Sequence, residues 1–185
     1  MIDDITKDAE FRMKKSISAL ETTFSRVRTG RANPAMLEGV KVSCYGSTAP
    51  LSQLANIGIE EGRTLTVQPW ERNLIPEIEK AIMNAGLGLN PATSGTLIRV
   101  PMPPLTEQTR KDLIKLVKKE SEETRVSIRN IRRDSNSELK ELLKGKLVSE
   151  DSEKKAQENI QKLTDRYIEL TDKLLTKKES DLMEI

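Results

Sequence analysis

All eight prolines fall between residues 34 and 104 of a 185-residue chain. Proline fixes φ and removes a backbone donor, so a segment that holds all of them is no continuous helix, while its flanks are free to be helical. The chain therefore divides into helical arms and an inserted unit of another class.

The first arm predicts a helix. Ile5, Ala9, Met13, Ile17, Leu20, Phe24 and Val27 recur at steps of three and four, which places them on one face. Asp3 and Asp4 suit the positive end of the helix dipole, and Arg26 and Arg28 suit the other end. Thr29-Gly30 is the expected stop, with Gly30 in the left-handed conformation. After the insert, Thr106 is placed to cap a second helix with Glu107 in its first turn. Its face runs Leu113, Val117, Thr124, Ile128, Ile131, Ser135, Leu139 and Leu142, and Gly145 should end it. Ser149-Glu150-Asp151 opens a third helix, where Ala156, Ile160, Leu163, Tyr167, Leu170 and Leu174 follow a heptad seam. At about 1.5 Å per residue the two later helices reach on the order of 50 Å each. The short link between them makes an antiparallel hairpin, and the first helix fills its groove.

Within the insert the period shortens. Val40 to Tyr45 alternates, Gly46 to Pro50 reads as a turn, and Leu54 to Ile59 and Thr64 to Val67 are short strands. Pro76 to Ala85 is a helix with proline in its first turn, Gly86 to Pro91 breaks it, and Thr96 to Val100 is a last strand. The fold class is α+β: a long three-helix bundle from residues 1–29 and 106–185, with a small β/α/β domain inserted at 30–105. Only 3% of residues are aromatic, so aliphatic side chains must build both cores.

The chemistry that is missing narrows the function. With no histidine and a single cysteine, Cys44, the chain lacks Ser-His and Cys-His nucleophiles, most zinc sites and any internal disulfide. No phosphate-binding glycine loop occurs. Carboxylate pairs such as Glu60/Glu61, Glu122/Glu123 and Glu150/Asp151 fit solvated helix faces, and a carboxylate-based RNA-processing enzyme is the remotest alternative. The expectation is a non-enzyme without cofactor or metal. The N-terminus shows no signal peptide, and no run reaches the roughly 18 apolar residues that cross a bilayer. A cytosolic monomer without a membrane role follows.

Net charge is only +2, but residues 106–146 carry twelve basic and eight acidic side chains. Within them Arg125, Arg129, Arg132 and Arg133 share one side of the second helix, beside its apolar face. Forked guanidinium donors suit phosphate oxygens. The competing explanation is a charged face paired with Glu122, Asp134 or Glu138. A second cluster, Arg26, Arg28 and Arg31, surrounds Gly30, where dipole compensation and linker solvation are the simpler account. Scarce aromatics argue against base stacking, so an RNA partner would be held by its phosphates and shape. A coiled-coil adaptor that binds other proteins explains the rod equally well, but neither the arginines nor the insert.

Arg28-Thr29-Gly30-Arg31-Ala32, the run Arg99 to Glu107, Arg110-Lys111-Asp112-Leu113 and Arg129 to Asp134 resemble the ribosome recycling factor family, as do the length and the C-terminal Lys178 to Met183. Ser135 stands where the family more often has alanine. The resemblance implies two domains arranged as an L, similar in outline to tRNA, that bind ribosomal RNA of the large subunit near the A and P sites. It implies elongation factor G as the partner GTPase, subunit separation, and release of mRNA and tRNA. It makes Arg28, Arg31, Arg110, Arg129 and Arg132 candidate RNA contacts, alongside Arg125 and Arg133 from the helical pattern. The insert becomes the candidate surface for the GTPase, with a hinge at Gly30, Arg31, Pro103 and Pro104.

Overall fold

The computed structural model describes residues 1–184. In chain order its elements are α1 (Ile2–Arg26), β1 (Lys41–Cys44), β2 (Ser47–Pro50), a single turn α2 (Leu51–Leu54), β3 (Ala55–Glu60), β4 (Thr64–Pro69), α3 (Ile75–Asn84), β5 (Ala92–Ser94), β6 (Leu97–Pro101), α4 (Glu107–Lys144) and α5 (Glu150–Met183). The chain forms two compact units: Met1–Val27 with Arg110–Leu182, and Arg28–Thr109 with the last residues from Met183.

The first unit is a three-helix bundle. Ala9 and Met13 of α1, Ile128, Ile131 and Leu139 of α4, and Ala156, Ile160 and Tyr167 of α5 form one apolar core. The helix starts follow the sequence: Thr106 Oγ1 accepts the Thr109 N–H at 3.1 Å, and Ser149 Oγ accepts the Ser152 N–H at 3.2 Å. The helix ends do not. α1 stops at Arg26 because Val27 turns extended (φ −74°, ψ 118°), and Gly30 is not left-handed. Val27 is buried at this exit from the helix. At the end of α4 the left-handed residue is Lys146 (φ 56°), one beyond Gly145. Leu147 N–H donates to Leu142 O at 3.0 Å and Lys146 N–H to Leu143 O at 2.9 Å, the paired bonds of a Schellman cap.

The predicted heptad seam of α5 holds at Ala156, Ile160, Leu163 and Tyr167 but is left at Leu170. Leu170 is 36% exposed, while Thr164 and Thr171 are buried beside Ile160 and Tyr167. Both threonines satisfy their hydroxyls within the helix, donating to Ile160 O at 2.8 Å and Tyr167 O at 2.9 Å. Ser121 and Ser135 of α4 do the same with Val117 O and Ile131 O. A hydroxyl that bonds the carbonyl four residues back is buried with no unpaired group, so small polar residues can take interior positions that a search for leucines passes over.

In the second unit a four-stranded antiparallel sheet of order β3-β4-β6-β5 packs with α3 around Leu65, Val67, Ile78, Ile82, Ile98 and Val100. Residues 47–50, expected as a turn, are instead strand β2, paired to β1 with Cys44 opposite Ser47. The turn is only Tyr45-Gly46, both with positive φ (49° and 77°), as a two-residue hairpin of the I′ type requires. β5 and α2 were not foreseen. Ala92–Ser94 is short and exposed, and has no alternating apolar pattern to reveal it. The segments entering and leaving this unit are both fastened to the β3–β4 turn: Ala32 N–H donates to Gly62 O, and Met102 N–H to Arg63 O, each at 2.9 Å.

Candidate nucleic-acid interface

The arginines of α4 are not equivalent. Arg125, expected to face solvent, has a side chain only 18% exposed. Its Nε and Nη2 donate to Asp172 Oδ1 on α5 at 2.8 and 2.6 Å, and its Nη1 donates to Glu122 Oε2 at 3.0 Å. The reason is position: α4 and α5 are antiparallel, and Asp172 lies within about one helical turn of the position opposite Arg125. Arg129, 40% exposed, donates through Nη1 to the other oxygen of Glu122 at 3.2 Å. Hydrogen bonds from Arg125 and Arg129 hold the Glu122 carboxyl below the ordinary glutamate value of 4.5.

Arg132 and Arg133 are held differently. Arg132 Nη1 donates to Gln161 Oε1 at 3.2 Å, and Arg133 Nη1 to Asn130 Oδ1 at 3.4 Å. These acceptors are neutral amides, which orient a guanidinium without cancelling its charge. Of the carboxylates that could have neutralised this face, Glu122 does so in part. Asp134 turns instead to Arg12 of α1, at 2.8 Å.

The remaining candidates are each half-engaged. Arg110, at the start of α4, is partly buried with a covered Nε that has no hydrogen-bond partner. Arg28 is likewise partly buried with an unpartnered Nε, and its Nη2 reaches Pro103 O at 3.5 Å. Arg31 forms an ion pair with Glu184. The proposed hinge positions Gly30, Arg31, Pro103 and Pro104 lie immediately outside Ala32 and Met102, the two residues fastened to the β3–β4 turn.

Residues 20–183 match the family described as ribosome recycling factor. The chain is 61% identical over its full length to the ribosome-recycling factor of Legionella pneumophila (strain Corby), and 58% identical to that of Hahella chejuensis, with both relatives also covered completely. The chain belongs to the ribosome recycling factor family. Among solved structures, the solution structure of a ribosome recycling factor matches all of this chain and 98% of the other, at 42% identity and a TM-score of 0.78. A T. thermophilus ribosome recycling factor, described together with E. coli elongation factor G on the E. coli post-termination complex, matches over the full length of both chains at 43% identity and a TM-score of 0.67. Ribosome recycling factors are translation factors and not enzymes. No helix among the described residues is long and apolar enough to cross a membrane.

In this member of the recycling factor family the few aromatic residues are not confined to the cores. Aromatics are scarce, yet Phe11, Tyr45 and Trp70 are 65%, 73% and 68% exposed. Tyr45 is held by hydrogen bonds with Glu71 and from Asn73 Nδ2. Tyr45 sits in a tight hairpin turn and Trp70 directly follows β4, and these placements are the only sequence signals that could have found them.

Proposed function

We propose that this chain recycles ribosomes: it binds the post-termination ribosome and, with elongation factor G and GTP, separates the subunits so that mRNA and tRNA are released. The observation that carries the contact surface is the pair Arg132 and Arg133, two guanidinium groups oriented by neutral amides and therefore still fully charged toward a phosphate backbone. Arg129 joins them where the RNA displaces Glu122, and Arg110, half-exposed at the start of α4, is a further contact. Arg28 and Arg31 lie in the connecting segment and contribute charge there.

In this reading residues 1–29 and 106–185 form the RNA-binding bundle, and the inserted domain at 30–105 is the surface for the GTPase. Gly30-Arg31 and Pro103-Pro104 are the hinge. The factor acts as a monomer in the cytoplasm and has no nucleotide site of its own, so the energy comes from its partner. The test is subunit splitting of purified post-termination ribosomes, followed by light scattering, with and without elongation factor G and GTP. Splitting that requires both proteins is expected. Splitting unaffected by omission of this chain would overturn the proposal.

A further inference from the structure

One carboxylate lies between two arginines of α4. Glu122 precedes Arg125 by three residues and Arg129 by seven, so all three share a helix face. Its two oxygens are divided between them, at 3.0 and 3.2 Å. Arg125 is in turn fixed from the other side by Asp172. A continuous chain of ionic hydrogen bonds therefore runs from α5 through Asp172, Arg125 and Glu122 to Arg129. Its two positive and two negative charges cancel, whereas among the described residues Arg132 and Arg133, next along the helix, have amide partners and no carboxylate partner.

We propose that Glu122 is a specificity-determining residue of the arginine face, a resident anion that any RNA phosphate must displace before it can use Arg129. This rests on the assignment of that face to RNA. A phosphate on arbitrary RNA is drawn to Arg132 and Arg133, but it meets like-charge repulsion and an occupied fork at Arg129. A phosphate whose position is already fixed by other contacts in the correct complex can displace the carboxylate. Glu122 thus weakens chance encounters more than it weakens the proper one. Arg125 is a positioning residue in this scheme: tied to α5, it keeps Glu122 in place.

The test uses Glu122→Gln, which keeps the size of an exposed side chain and removes its charge. Binding to a short A-form RNA duplex of unrelated sequence and to large ribosomal subunits is measured against potassium chloride concentration. For the duplex, affinity should rise about two- to five-fold, and the log–log salt slope should steepen by about 0.7–0.9 as one more phosphate is neutralised. Affinity for large subunits should rise less. Glu123→Gln is the control, because Glu123 pairs with Lys119 at 3.8 Å and, among the described residues, forms no ion pair with these arginines; it should behave as wild type. An equal gain from Glu123→Gln, no gain from Glu122→Gln, or an equal gain on both RNAs would each overturn the proposal. The underlying assignment fails separately, if the wild-type chain shows no salt-dependent affinity for large subunits.

Discussion

Arg125 is bound to Asp172 through two nitrogens, joining α4 to α5 with hydrogen bonds of 2.6 and 2.8 Å. Arg132, seven residues on, reaches the same helix only through the amide of Gln161. Two arginines on one face thus have opposite tasks, one holding the bundle together and the other presenting charge.

That difference can be measured. Arg125→Ala removes a partly buried guanidinium and strands Asp172, and should lower unfolding stability by roughly 1–2 kcal/mol. Arg132→Ala should change it by less than about 0.5 kcal/mol, while weakening large-subunit binding and reducing the salt slope by about one. Urea denaturation and salt-dependent binding of both variants decide the matter. If Arg125→Ala leaves stability intact and reduces binding as much as Arg132→Ala, the division of labour is wrong.

The end of α4 is suboptimal by one residue. Lys146 carries the left-handed conformation that Gly145 does not use. Lys146→Gly should relieve the crowding of Cβ there and stabilise the chain by about 0.5–1 kcal/mol, net of the greater freedom glycine gains on unfolding. Gly145→Ala, at a position without positive φ, should cost little beyond what its 3.4 Å approach to Glu141 O imposes. Thermal unfolding of the two variants should rank them in that order.

Ser135 is buried with its hydroxyl bonded to Ile131 O. Ser135→Ala leaves that carbonyl its helical N–H partner and gains helix propensity, so stability should rise by roughly 0.3–0.7 kcal/mol. A loss of stability instead would mean that the hydroxyl contributes more to interior packing than its backbone bond suggests.

Both tyrosines should resist ionisation. The hydrogen bond to Glu71 raises Tyr45 above the usual 10.0, and burial followed by the nearby Glu10 carboxylate raises Tyr167. A phenol whose folded-state value is raised favours folding below pH 10.0 and loses that contribution as pH climbs through the raised value. Tyrosinate absorbance should therefore lag behind that of the unfolded chain, and stability should fall above about pH 10. Glu71→Gln should bring Tyr45 back toward its ordinary value and leave Tyr167 unchanged.

The sequence disclosed elements more readily than contacts. Three-and-four spacing revealed α1, α4 and α5, and the caps at Thr106 and Ser149 fixed two helix starts within a residue. Helix ends were harder, because glycine at 30 and 145 signals a stop without fixing which residue turns left-handed. β5 and β2 escaped because short exposed strands owe their existence to a neighbour's hydrogen bonds and not to their own pattern. The arginine face was visible as a set of residues, but its charge was not. Neutralisation depends on Asp172, 47 residues further along the chain. Counting equal lengths back from the α4–α5 turn reaches Glu169, one helical turn short of Asp172, so it brings the right stretch of α5 alongside but does not name the partner.

Ala32 and Met102 are fastened to adjacent residues of one turn, Gly62 and Arg63. Every tug along the entering or the leaving segment is therefore delivered to a single point on the inserted domain. Two segments anchored far apart would shear the sheet between them when pulled unequally. Two segments sharing a mooring load the sheet at one end only, on the β3–β4 turn.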